Sequence, residues 1–233
     1  MWKAFRARTF VLRKRLALLT PERIRLRRNR RATVALAQRW LGGLKGIEVG
    51  GAAHNDFEVD ALNVDRYAEY DTVYKREELR MWGTVKKVDL VAPGDDLPLK
   101  DQAVDFVLAS HVIEHFPDPV AALSEWVRVS RRYLFLVVPH RDRTFDRGRD
   151  LTPVDELLDR HARGFASEED AHWSVWTCES FLALCDALGL VVCDHRDPDY
   201  EGGNGFVVVI DAAASRAASA ATDREGFEPS IRF

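Results

Sequence analysis

The chain alternates short apolar runs with amphipathic stretches from Gly46 onward, and this pattern constrains the fold more than any other feature. Strands separated by helices predict a parallel sheet that is covered on both faces. The run Tyr133–Val138 is apolar at every position, as expected for a strand buried on both faces. EGGNG (201–205) predicts a hairpin turn between the last two strands. We therefore predict an α/β fold, a doubly wound, mostly parallel sheet with an antiparallel C-terminal hairpin, whose strands fall at 46–50, 61–64, 88–91, 104–109, 133–138, 190–194 and 206–210.

Composition divides the chain into three parts. Residues 1–43 form a basic helical N-terminal arm, because residues 1–39 hold thirteen Lys or Arg against a single acid. Residues 44–211 form the main domain, and 139–175 are predicted to be an insertion because they are too long for an ordinary connection. The Ala/Ser-rich tail, 212–233, is predicted to be disordered.

Bulk properties exclude several classes of protein and leave the role of the arm open. No apolar run reaches the roughly 18 to 20 residues that a membrane span needs. Three cysteines without CxxC argue against a disulfide scaffold or a zinc ribbon and favour a cytoplasmic location. Residues 1–41 are interpreted as a cap on the acidic body or a subunit contact, with an anionic membrane surface or an organelle presequence as alternatives. Nucleic acid is disfavoured because no aromatic residues interleave the basic ones.

Polar and small residues follow several of the predicted strands. Open α/β sheets bind ligands at the carboxyl ends of their strands, near the point where the strand order reverses. Because parallel strands share one edge, we expect these residues to meet there. Four of the seven histidines fall in this set, which comprises Gly50, Gly51, Ala52, Ala53, His54, Asn55, Asp65, Ser110, His111, Glu114, His115, His140, Arg141 and Asp142.

The segment GIEVGGAAHNDF (46–57) resembles the glycine-rich motif of class I S-adenosylmethionine-dependent methyltransferases. The resemblance implies that Gly50 forms a tight turn after the first strand and that small residues let the cofactor approach the backbone. ALNVD (61–65) resembles the second strand of the same fold, which implies that Asp65 binds both ribose hydroxyls. The family usually carries further glycines where this chain has Ala52 and His54. The implied cofactor set from these segments is Glu48, Gly50, Gly51, Ala52 and Asp65.

DDLPLKDQAVDFVLASHVIEHFPDP (95–119) resembles the fourth-strand region of the type 11 methyltransferase-domain family. This resemblance implies an enzyme of Rossmann-like fold that uses S-adenosylmethionine. It also implies that Ser110 lies at the cofactor and that an acid upstream of Leu-Pro contacts adenine. Asp95 is the nearest candidate, and Asp89 is the second choice.

Methyl transfer requires an aligned nucleophile and, for many acceptors, a base. His111, His115 and His140 are the candidate catalytic bases because histidine titrates near neutrality. We expect the insertion to bind a polar, small or medium-sized acceptor, and its mixed Arg, Asp and His content favours a sugar or glycan intermediate. Its candidate groups for anions or sugar hydroxyls are Arg141, Asp142, Arg143, Asp146, Arg147 and Arg149.

Two alternatives remain at the level of the sequence. His111-Val-Ile-Glu-His115 fits the HxxEH motif of inverted zinc peptidases, in which two histidines on one helix bind zinc. Pro117 and Pro119 argue against a long helix here, so we assign no metal to this segment. The second alternative is a non-catalytic cofactor-binding or scaffold protein of the same fold, which the substitutions Ala52 and His54 make conceivable.

Overall fold

A computed structural model describes residues 32–53, 57–68, 72–167, 169–199 and 203–224. The predictions for 1–31, for His54 and for 225–233 therefore lie outside the described residues. The described chain contains one seven-stranded sheet in the order β3-β2-β1-β4-β5-β7-β6. Its strands are β1 (Lys45–Val49), β2 (Asp60–Asp65), β3 (Leu90–Val91), β4 (Val104–Ser110), β5 (Ser130–Pro139), β6 (Val191–Arg196) and β7 (Gly205–Asp211).

The sheet is parallel except at its C-terminal end. β1 pairs in parallel with β2 on one side and with β4 on the other. The chain builds outward from β1 through β2 to β3 and then returns to add β4 and β5, so the strand order reverses between β1 and β4. β7 runs antiparallel to both β5 and β6. The predicted doubly wound α/β fold with a C-terminal antiparallel hairpin is confirmed.

Six helices accompany the sheet in the described part of the chain. No helix among these residues is both long and apolar enough to cross a membrane. Asp118 caps α3, as its sequence predicts: the carboxylate Oδ1 accepts the Ala121 N–H at 2.9 Å, and Pro119 takes the first helical position. The helices are α1 (32–41), α2 (Val73–Trp82), α3 (Pro119–Val129), α4 (Val154–Ala162), α5 (Cys178–Ala187) and α6 (Ala212–Arg224), with short 3₁₀ turns at Ile113–His115 and Arg141–Arg143.

The sheet buries both faces. On one face, α3 and α5 contribute Leu123, Trp126 and Phe181 to the larger apolar cluster. On the other face, α1 contributes Leu36 and Leu41 to a second cluster. The described end of the basic arm is therefore a helix that packs on the sheet through an apolar stripe.

The predicted disorder of 212–233 is wrong for residues 212–224, which form α6. Ala212 and Ser215 are fully buried, and the Arg216 guanidinium donates to the carbonyls of Val127 and Ser130, each at 2.6 Å. The Ala-rich composition favours a helix intrinsically, and its small side chains allow close packing on the domain. Low side-chain bulk was therefore a sign of close packing here and not of disorder.

Candidate active site

The turn after β1 lies directly beside the end of β2. Val49 is in register with Val64, and the Gly50 N–H donates to the Val64 carbonyl at 2.8 Å. Gly50 has φ +67°, a left-handed conformation that favours glycine. A Cβ at this position would also lie only 2.7 Å from Val112 Cγ2. Gly50 thus lets the turn contact the loop that follows β4.

Gly51 is held against two polar side chains of β1 and β2. Its N–H donates to Asn63 Oδ1 at 2.9 Å, and a Cβ would lie 2.6 Å from the same oxygen. The same Cβ would lie 2.8 Å from the Glu48 carboxyl carbon, so a larger residue would require the Asn63 and Glu48 side chains to shift. Glu48 is buried and binds the Lys86 ammonium group. The turn at residues 50–51 is therefore shaped by the two strands beneath it.

Asp65 ends β2 and is linked to the turn through α2. Its Oδ1 accepts the Tyr67 N–H at 3.2 Å, and its Oδ2 lies 3.6 Å from Lys75 Nζ. The buried Lys75 also lies 3.5 Å from Glu78 Oε2. Glu78 in turn accepts the N–H of Ala53. The carboxylate and the turn therefore belong to one network of ion pairs and hydrogen bonds.

The remaining predicted cofactor residues are placed less uniformly. Ser110 is buried at the end of β4, and Ala52 is half-buried in the turn. Asp95 lies in an exposed turn after β3. Asp89, the second choice for adenine, accepts from Lys87 Nζ at 2.9 Å and from the Asn63 N–H at 3.1 Å, and these bonds hold its pKa below the usual range. Asp89 therefore joins β2 to the start of β3.

A cavity of about 490 Å³ opens beyond the ends of β4 and β5. Two of the three predicted bases line it, His111 and His115. His111 has φ +55°, which is uncommon for a residue with a side chain, and its N–H donates to the Val137 carbonyl at 2.8 Å. The lining residues are His111, Glu114, His115, Pro139, Arg143, Thr144, Phe145, His172 and Asn204.

Glu114 lies at the base of this cavity and is only 1% exposed. Its Oε1 is 3.9 Å from His111 Nδ1, from His115 Nε2 and from His172 Nε2. Its Oε2 is buried and has no hydrogen-bond partner among the described residues. Burial raises the pKa of the Glu114 carboxyl to about 8, and the nearby negative charge of Asp146 adds to the rise.

The insertion supplies one wall of the cavity. Asp146 is buried and accepts from His172 Nδ1 and from Arg149 Nη1, each at 2.6 Å. Arg149 also donates to the His172 carbonyl at 2.8 Å, and the Trp173 N–H donates to the Glu114 carbonyl at 2.8 Å. Asp146 therefore positions His172. It is not placed to bind sugar hydroxyls, which is the role that the sequence suggested for it.

His140 lies beside the cavity and is not among the described residues that line it. Its Nδ1 accepts the Asp142 N–H at 3.1 Å, and its Nε2 lies 4.0 Å from Asp197 Oδ2. Burial and the Arg143 charge lower its pKa. Two of the insertion arginines also differ in position: Arg143 lines the cavity, whereas Arg141 pairs with Asp142 at 2.9 Å.

Sequence reasoning missed His172 as a member of the site and assigned Glu114 no role in it. Glu114 was expected at the same sheet edge, among the residues that follow the fourth strand and within the HxxEH motif. The motif does not form the long helix of zinc peptidases. It forms only a short 3₁₀ turn at Ile113–His115, and His111 lies outside this turn. No local pattern indicated His172, because it reaches the loop after β4 only through the folded insertion.

An open α/β sheet with a glycine turn and a carboxylate at its reversal point defines the class of Rossmann-like nucleotide-cofactor proteins. Residues 51–137 match the family model described as a methyltransferase domain. A protein of Mycolicibacterium smegmatis, named "Probable S-adenosylmethionine-dependent methyltransferase", is 33% identical over 123 residues, which cover 52% of this chain. This chain spans 44% of the length of that curated relative.

Solved structures support the same fold. A chain from Thermotoga maritima, described as "SAM-dependent methyltransferase, possible histamine N-methyltransferase", superposes with a TM-score of 0.51 at 18% identity. The match covers 91% of this chain and all of that one. The family model and the curated relative thus confirm the resemblance of residues 51–137 to the methyltransferase domain of S-adenosylmethionine-dependent enzymes, with S-adenosylmethionine as the implied cofactor.

Proposed function

We propose that this protein transfers a methyl group from S-adenosylmethionine to a polar acceptor bound in the cavity. One observation carries the proposal: the loop at 111–115 borders the glycine turn through Val112 and lines the cavity through His111, Glu114 and His115. A cofactor seated at the turn and an acceptor in the cavity would thus meet across a single loop. Methyl transfer needs this kind of alignment of donor and acceptor.

The residues around the turn fit the cofactor. Gly50 and Gly51 leave no side chain over the turn, and Asp65 lies at the neighbouring strand end, where a carboxylate can accept two hydroxyl hydrogen bonds. Glu48, Ala52, Ser110 and Asp95 complete the proposed set. When bound, the cofactor supplies an electrophilic methyl group on a sulfonium. Because Lys75 binds Asp65 and Lys86 binds Glu48, cofactor binding would exchange these lysine contacts for contacts with the ligand.

The cavity residues would orient the acceptor and hold its proton. His111 and His115 line the cavity as the proposed bases, whereas His140 would act from beside it. Arg143, Thr144 and Asn204 add polar groups to the lining, and Phe145 packs against His172 with its ring centroid at 4.5 Å. Polar groups beside an aromatic ring suit a hydroxyl-rich ligand. We therefore propose a sugar or glycan intermediate as the acceptor class.

Formation of S-adenosylhomocysteine across a panel of acceptors tests this function. We expect turnover with a polar acceptor and a loss of about 10²- to 10⁴-fold in His111→Ala, as for a removed general base. His195→Ala is the matched control, because His195 is an exposed histidine on β6. Turnover with acceptors of other classes but not with glycosyl acceptors would remove the sugar assignment. An absence of cofactor binding would leave only a scaffold role for the fold.

A further inference from the structure

We propose that Glu114, His115 and His172 form a binding site for a divalent transition-metal ion. Each residue offers one ligand atom, and the three atoms lie within 4.8 Å of one another. All three residues line the cavity, so an ion bound to them would face the proposed acceptor. This site goes beyond methyl transfer and is argued independently of it.

The distances fit a shared ion better than a hydrogen-bonded cluster. The two imidazole Nε2 atoms lie 3.9 Å from Glu114 Oε1, which is too long for a hydrogen bond. Two ligand atoms at about 2.1 Å from a tetrahedral Zn²⁺ are separated by about 3.4 Å. Each imidazole would therefore have to approach the carboxylate by about 0.5 Å to share an ion.

The histidines are oriented as metal ligands usually are. His172 Nδ1 donates to Asp146 Oδ2 at 2.6 Å, and His115 Nδ1 lies 3.1 Å from Asp170 Oδ1. In both residues a carboxylate holds Nδ1, so Nε2 is the atom directed at Glu114. A carboxylate that fixes the far nitrogen of an imidazole is the common outer contact of histidine metal ligands.

The buried carboxylate supplies a reason for a cation at this position. Glu114 is almost fully buried, and its Oε2 has no hydrogen-bond partner in the described chain. An uncompensated buried carboxylate is costly, and a bound cation is one way to offset the cost. Two imidazole nitrogens and one carboxylate oxygen favour a metal such as Zn²⁺ or Co²⁺ over Mg²⁺, which prefers oxygen ligands.

The consequence for the acceptor follows from the number of ligands. Three protein ligands leave at least one coordination position, as in catalytic zinc sites. An acceptor oxygen in the cavity would occupy this position, and the ion would lower the pKa of a bound hydroxyl. With His115 binding the ion, His111 becomes the remaining cavity histidine available as a base.

Calorimetric titration of Zn²⁺ into untagged, chelator-treated full-length protein tests the site. We expect one ion per chain, and Glu114→Gln and His172→Ala, which each remove a ligand, should weaken binding by more than the loss of an outer contact does. Asp146→Asn, which weakens the outer contact to His172 Nδ1 and the ion pair with Arg149, should weaken binding by about 10- to 100-fold. His161→Ala is the matched control and should bind as wild type does, because His161 forms a similar pair with Asp118 at 2.9 Å outside the cluster.

The visible absorption of bound Co²⁺ provides a second readout, which would not change if Glu114 only stabilised the fold. We expect visible absorption bands typical of nitrogen and oxygen ligands in wild type and His161→Ala, and their loss in Glu114→Gln, whose fold is checked by circular dichroism. Three outcomes would overturn the assignment: wild type that binds neither Zn²⁺ nor Co²⁺, Glu114→Gln that binds as tightly as wild type, or wild type that binds only Mg²⁺. Because no cofactor or acceptor is added, such a result leaves the proposed methyl transfer standing.

Discussion

Replacing Asp65 by Asn tests the proposed cofactor site at the residue on which it most depends. The amide keeps the size of the side chain but loses the charge that strengthens hydrogen bonds to ribose hydroxyls. One charge-assisted hydrogen bond is worth about 1.5–3 kcal/mol. The ligand must first displace Lys75, 3.6 Å from Asp65 Oδ2, and a partly exposed ion pair of this kind contributes about 0.2–1 kcal/mol. The net loss is therefore about 0.5–2.8 kcal/mol.

This loss corresponds to an affinity for S-adenosylhomocysteine that is about 2- to 100-fold weaker, since 1.4 kcal/mol is tenfold. Isothermal calorimetry measures it directly. Asp105→Asn is the matched control: its side chain is 26% exposed against 25% for Asp65, and it also binds a backbone N–H and a cation. Asp105 is the second residue of β4, so it lies at the amino ends of the parallel strands, whereas Asp65 lies at the carboxyl end of β2. Equal affinities in Asp65→Asn and wild type would refute the ribose contact.

Three further predictions concern the domain itself. Arg216→Ala should lower the free energy of unfolding by about 1–3 kcal/mol in urea, because Arg216 bonds three backbone carbonyls; an unchanged midpoint would mean that α6 does not stabilise the domain. Trp126→Phe should cost about 1–3 kcal/mol in the same assay, because the buried indole N–H donates to a backbone carbonyl at 2.7 Å; a loss within error would contradict this. Burial raises the pKa of the Cys178 and Cys185 thiols to about 11 and about 12, so at pH 8 these two residues should react with iodoacetamide far more slowly in the native protein than in the unfolded chain; equal rates at these two residues would contradict the raised pKa values.

The fold was predictable because its signals are local. The all-apolar run at 133–138 lies in β5 with both of its faces covered, as the pattern indicated. Asp118-Pro119 marked the start of α3 through capping chemistry that needs only four consecutive residues. Local sequence signals did not predict the structure of the tail, because Ala and Ser are compatible both with a solvated segment and with a closely packed helix. Only the contact of Arg216 with the end of α3 decides between them.

The site was predictable in its location but not in its composition. Gly50, Asp65 and His111 each follow or end a strand, and parallel strands end at one side of the sheet. The alternation of strands and helices therefore predicted that these residues lie close together. Lys75 and His172 arrive from a helix and an insertion whose paths depend on tertiary packing. Sequence spacing carries no information about such contacts, and these two residues change the chemistry of the site most.

The loop at 111–115 explains why backbone strain is found where the two halves of the site meet. After β4 the chain must place Val112 against Gly50 and, within two residues, Glu114 beneath the cavity. A regular extended or helical exit would direct both side chains elsewhere, and the left-handed conformation of His111 provides the sharp turn. Such a conformation costs of order 1–3 kcal/mol and persists only when its surroundings hold it. Here the Val137 carbonyl and the Trp173 N–H bind the two ends of the loop, so β5 and the insertion hold the turn between the proposed cofactor site and the proposed acceptor cavity.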